Sequence, residues 1–133
     1  MSLSALGYLN ADFNTVTVSG HSAGCQWSET MQLVYSGTIR GAALMQCGPY
    51  GTDLPDFHAA GASTASLRAT ANSAAAAEIS KIDPTNNLAL RAAYIIKGTN
   101  DTTVAPFVVD ATYWFLKDQG MTTINLEERN IGH

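Results

Sequence analysis

The sequence predicts an α/β fold, a mostly parallel sheet of about four strands flanked by helices, and three observations carry that expectation. Short apolar or β-branched runs of strand length alternate with longer segments of helical periodicity, the pattern of strand, crossover and strand. Glycines stand where these segments end, at Gly20, Gly37, Gly98 and Gly120. A chain of 133 residues with 46% hydrophobic side chains has the material for the core of a single domain.

Thr15-Val16-Thr17-Val18-Ser19 reads as a first strand, buried on both faces, that stops at Gly20. Residues 23–35 follow with almost no loop and place Cys25, Trp27, Met31, Leu33 and Val34 at helical spacing, with Gly37 as the stop. Residues 39–45 form a second buried strand, closed by Cys47-Gly48-Pro49-Tyr50-Gly51. Strand, helix and strand in succession imply a parallel pair. Residues 52–62 hold Pro55 and Gly61 and read as an irregular excursion at the edge of the sheet. The Ala-rich residues 63–82 are a helix stopped by Asp83-Pro84, and residues 92–97 are a third strand ended by Gly98. Residues 106–119 form an amphipathic helix capped by Gly120, and residues 122–128 a fourth strand. Trp27, Trp114 and Phe115 fall at helical positions that suit a core.

Seven Lys and Arg against eleven Asp and Glu give a net charge of -4, so no broad cationic field gathers phosphates or anionic lipid. Neither nucleic acid nor a membrane surface is expected as a partner. No apolar run approaches the ~20 residues of a membrane span, and residues 1–9 carry no secretory signal pattern. Cys25 and Cys47 are too few for a disulfide scaffold and lack metal-ligand spacing with any His. Two buried thiols are the expected state and a single bridge the alternative; no metal site is expected.

Gly20-His21-Ser22-Ala23-Gly24 sits between a strand and a helix. That is the setting of a nucleophile elbow, where a sharp turn lifts the central Ser off the sheet edge. Both flanking positions are expected to need glycine, and the Ala23 N–H at the helix start is the candidate oxyanion donor. A Ser hydroxyl needs a base to take its proton and a carboxylate to orient that base. Of the histidines, His21 is committed to the turn with its side chain expected to face away from Ser22, and His58 lies in the excursion. His133 follows the last strand, where the order Ser, acid, His puts the base. Asp101, just past the third strand on the same sheet edge, is the candidate acid, with Thr102 and Thr103 placed to hydrogen-bond it. An ordinary cap or turn Asp is the competing reading of Asp101, and Asp53, Asp56 and Asp83 are weaker candidates. Tyr50 and His58, in loops at this edge, are candidates for substrate contact, as is Phe57.

Three segments together resemble the polyhydroxybutyrate-depolymerase and feruloyl-esterase-like branch of the α/β-hydrolases. They are residues 10–25 through the elbow, Cys47-Gly48-Pro49-Tyr50, and Lys97-Gly98-Thr99-Asn100-Asp101-Thr102-Thr103-Val104 with the closing Gly132-His133. The resemblance implies a triad of Ser22, Asp101 and His133, esters of hydroxyalkanoic acids, polymeric or short, as substrates, no cofactor, and an extracellular location. In that fold the second oxyanion donor lies in a loop after an earlier strand, and a helix follows the base. The chain is therefore expected to be a single α/β-hydrolase domain over residues 1–133, incomplete at both ends and lacking the amino-terminal strands. Two alternatives to a serine esterase stand beside it: an inactive remnant or binding module, self-associating through an exposed sheet edge, and a serine peptidase of the same fold.

Overall fold

The structure, a computed structural model, describes residues 12–133. The expectation about residues 1–9 and the first two residues of the 10–25 segment lie outside them. Four strands, β1 (Thr17–His21), β2 (Gly41–Met45), β3 (Ala92–Gly98) and β4 (Thr123–Arg129), pair in parallel in the order β1-β2-β3-β4. Gly20 lies beside Leu44, Leu44 beside Ile95, and Ile95 beside Leu126. The helices are α1 (Ala23–Val34), α2 (Leu54–Phe57), α3 (Thr64–Ala77) and α4 (Pro106–Asp118). Neighbours within the sheet are also successive in the chain, so right-handed crossovers put α1, α3 and α4 on one face.

Burial follows that arrangement. Ala42, Leu44, Ala93 and Ile95 join Leu33, Val108 and Phe115 in one core, whereas Ala92 and Tyr94 on the opposite face are exposed. β1, expected to be buried on both faces, has no buried residue, because among the described residues it pairs with β2 alone and carries helices on one side. α3 opens on a capping box between Ser63 and Ser66 and ends at Ala77, short of the expected residue 82. Asp83 explains the early stop. Its N–H bonds the Val34 carbonyl and its carboxylate accepts the Gly37 N–H, drawing the chain back to the end of α1. The 3-10 segment Thr85–Leu90 that follows was not expected.

α1 departs most from its apolar pattern. The face it packs on the sheet consists of Cys25, Ser28, Glu29, Gln32 and Leu33, while Trp27 is 70% exposed. Each of these polar side chains makes one hydrogen bond: Ser28 Oγ donates to the Gly24 carbonyl, Gln32 Nε2 donates to the Ala92 carbonyl, and the Tyr50 N–H donates to Glu29 Oε1, while Glu29 Oε2 and Gln32 Oε1 have no partner among the described residues. Trp114 is also exposed, beneath the Arg68 guanidinium, so Phe115 is the one aromatic of the three in the core.

Complete burial pushes the Glu29 carboxyl up from 4.5 to about 8, against the smaller opposing pull of the Tyr50 N–H. The folded chain thus holds a proton here that the unfolded chain releases. Stability conferred by the neutral acid is fully present below pH 4.5, declines as pH rises, and is gone above about 8. The Glu29→Gln protein is expected to lose this part of the decline. Thermal melts from pH 5 to 9 check it: parent and variant traces that run parallel would refute the assignment.

Cys25 and Cys47 are joined in a disulfide, which corrects the expectation of free thiols. The second residue after Ala23 and the second after β2 come within 5.7 Å between Cα atoms because the elbow folds α1 back over the strand it neighbours. Closing this loop is expected to contribute about 3 kcal/mol, read as the loss of urea-unfolding free energy in a Cys25→Ser, Cys47→Ser double variant.

Candidate active site

The strand ends on one edge carry the polar cluster. β1 ends at His21, and Ser22 turns the chain into α1 with φ 55° and ψ -124°, a left-handed backbone that a side chain rarely adopts. The Ser22 N–H still donates to the Met45 carbonyl of β2, and the Ser22 carbonyl accepts the Gln26 N–H, so the strained residue is held from both sides. Only one flanking glycine is obligatory. A Cβ at Gly20 would strike the Gly24 backbone, but one at Gly24 would meet nothing within 4 Å.

Asp101 lies just beyond β3, 3% exposed, and its Oδ1 accepts the N–H groups of Thr103 and Val104 at 2.9 and 2.8 Å. Backbone donors thus do what the Thr side chains were expected to do. Burial alone would raise this carboxyl, yet hydrogen bonds from His133, Val104 and Thr103 together hold it below its ordinary value. His133 Nδ1 meets Asp101 Oδ2 at 2.8 Å, and its Nε2 lies 2.8 Å from Ser22 Oγ. Because an ionised carboxylate only accepts, Nδ1 carries the proton and Nε2 is free to accept from the hydroxyl. Residues 22, 101 and 133 therefore form one hydrogen-bonded row across the ends of β1, β3 and β4.

The Ala23 N–H opens α1 beside Ser22 and has no backbone or side-chain acceptor among the described residues. Two cavities flank it. One, of about 310 Å³, is walled by Ser22, Leu54, Pro55, Phe57 and Val104 and is mostly apolar. The other, of about 280 Å³, is lined by Trp27, Thr30, Tyr50 and Thr52. Gln26 borders both, and its Nε2 donates to the Thr52 carbonyl. Tyr50 thus lies where substrate contact was expected. His58 does not: α2 turns Phe57 inward, so the next residue is exposed and lines neither cavity.

Sequence reasoning missed three residues. Trp27, assigned to the core, faces the second cavity. His21, expected to turn away, bonds Gln46 Oε1 through Nε2 at 2.9 Å, with its ring centroid 4.8 Å from that of His133. A polar residue closing the apolar run of β2 was the available signal for Gln46. No cluster of three or more metal-ligating side chains occurs among the described residues.

No family model matches the sequence, and no curated protein does. Solved structures match closely in shape. The PHB depolymerase of Penicillium funiculosum superposes with a TM-score of 0.71 at 24% identity, over 90% of this chain and 39% of that one. A substituted PHB depolymerase complexed with an R3HB trimer gives 0.70 at 23%, over 94% and 41%. A variant of Arabidopsis thaliana SOBER1 gives 0.65 at 20%, over 93% and 48%. The chain thus spans less than half the length of each. A parallel sheet flanked by helices, an elbow after β1 and these superpositions identify the architecture as part of the α/β-hydrolase fold.

Proposed function

We propose that the chain carries the catalytic centre of a serine carboxylic-ester hydrolase. The observation that supports this reading is the row of two 2.8 Å hydrogen bonds from Asp101 through His133 to a Ser22 lifted on a strained turn. In the proposed reaction His133 Nε2 takes the hydroxyl proton as Ser22 Oγ attacks the ester carbonyl. The Ala23 N–H, at the positive end of α1, stabilises the oxyanion. Collapse expels the alcohol, protonated by His133, and leaves an acyl-enzyme on Ser22. Water, deprotonated by the same imidazole, then releases the acid. None of these steps calls for a metal or an organic cofactor.

For the substrate, hydroxyalkanoate esters fit best. The apolar cavity at Ser22 suits a short alkyl acyl group, and the Trp27–Tyr50 cavity beside it suits the remainder of a longer ester. The similarity to PHB depolymerase structures points the same way. The Cys25–Cys47 bridge favours an oxidising, extracellular setting. A fluorophosphonate probe is expected to label Ser22 alone, as read by peptide mass spectrometry; an unlabelled Ser22 in folded protein counts against the proposal.

One feature favours a second reading, an inactive remnant or binding module. Among the described residues the sheet face opposite the helices is uncovered and β1 has a free edge, both of which promote self-association. Light scattering with a nitrophenyl ester assay separates the two: an inactive oligomer supports the remnant, an active species the esterase.

A further inference from the structure

Gln46 takes no part in the reaction just proposed, yet it is built as carefully as the residues that do. It directly follows β2, adopts φ 53°, and is 3% exposed. A buried, non-glycine residue in the left-handed region persists only where its surroundings hold it there. Three contacts do so. The Gln46 N–H donates to the Ile96 carbonyl at 3.1 Å, Oε1 accepts from His21 Nε2 at 2.9 Å, and Nε2 donates to the Gly132 carbonyl at 2.6 Å.

The last of these is the informative one, because Gly132 immediately precedes His133. Asn100, just beyond β3, also holds this segment, its N–H donating to the Ile131 carbonyl at 3.1 Å and its Nδ2 to Asn130 Oδ1 at 2.5 Å. Gly98 leaves the space through which Gln46 reaches the loop. A Cβ there would collide with Gln46 Nε2 and stand 2.8 Å from the Ile131 carbonyl oxygen. On its other side Gln46 fixes His21, whose ring packs against that of His133. One amide therefore grips the backbone before His133 and also a ring that abuts the imidazole.

We infer that Gln46 is a positioning residue for His133, holding its imidazole in line between Ser22 and Asp101 from the end of the neighbouring strand. The inference rests on the proposed function for its kinetic consequence and on geometry alone for its structural one. A proton-transfer group displaced by about 1 Å loses on the order of 100-fold in rate, so the tie has leverage.

Gln46→Asn is the primary test. Asn tolerates positive φ better than Gln, so the backbone is preserved while the shorter side chain no longer reaches both partners. Gln46→Leu keeps the volume without the polar atoms, and Gln46→Asn decides the matter should that variant fail to fold. Ester turnover per probe-labelled Ser22 is expected to fall about 10- to 100-fold with KM changed less than about 2-fold. The downfield Nδ1 proton of His133, followed by NMR, is expected to broaden or vanish while the melting temperature of Gln46→Asn holds. Unchanged turnover per labelled site together with an unchanged Nδ1 resonance would overturn the inference. If the parent takes no label, the ester-hydrolase proposal fails, and the Nδ1 resonance still decides whether Gln46 positions His133.

Discussion

Replacing Asp101 by Asn is expected to lower kcat for a short-chain ester by about 10⁴-fold while leaving the fold in place. The reason lies in which oxygen does what. Oδ1 accepts two backbone N–H groups, from Thr103 and Val104, so an Asn must keep its carbonyl oxygen there. Its NH₂ then replaces Oδ2 and points at His133 Nδ1. Two donors cannot face each other, so the imidazole shifts its proton to Nε2, the nitrogen that has to accept from Ser22. The base is then present and in place but in the wrong tautomer. Ser22→Ala, which removes the proposed nucleophile, is expected to cost about 10⁶-fold. Steady-state assays of the two proteins at matched melting temperature test the order. An Asp101→Asn protein within about 10-fold of the parent would remove Asp101 from the proposed mechanism.

Substitution of Gly20 by Ala is expected to destabilise the chain by about 3 kcal/mol and to abolish labelling of Ser22, whereas the same change at Gly24 is tolerated. The atoms a Cβ would meet at Gly20 belong to the Gly24 backbone and to Cys25 N, the latter at 2.7 Å, and backbone in the first turn of a helix cannot step aside. At Gly24 the space is open and the residue is helical, so Ala gains up to about 1 kcal/mol of helix propensity. Urea unfolding of the two single variants decides this. Equal losses at both positions would show that the elbow relaxes in some other way.

These two glycines also show how far the sequence could be read. The pattern Gly-x-Ser-x-Gly, bounded by a β-branched run and a helical one, gave the turn, and the order of Ser22, Asp101 and His133 gave the row of hydrogen bonds to be looked for. Which glycine is compulsory depends on a contact four residues ahead that spacing does not disclose. Three of the strands were legible because each is a short apolar or β-branched run ended by a glycine or a turn, and the fourth because it follows the Gly120 cap of a helix. Their burial was not, since exposure of β1 and Tyr94 depends on all three long helices lying on one face. α1 misled through Trp27 and Met31, which are apolar but turn outward, while Glu29 and Gln32 take the buried side, each with one hydrogen bond to a backbone group and one oxygen left without a partner among the described residues. His58 was misplaced for want of α2, whose single turn exposes it. The disulfide was missed in favour of free thiols because two cysteines 22 positions apart reveal nothing about distance until the elbow folds α1 over β2.

The hydroxyl and the imidazole that meet at 2.8 Å are 111 positions apart in the chain, with three of the four strands between them. Contacts of such long span form late, after local helices and adjacent strands have organised. When the denatured protein is returned to native buffer, circular dichroism should therefore recover first and reactivity of the hydroxyl last, making the chemical signal a sensitive clock for completion of the native state.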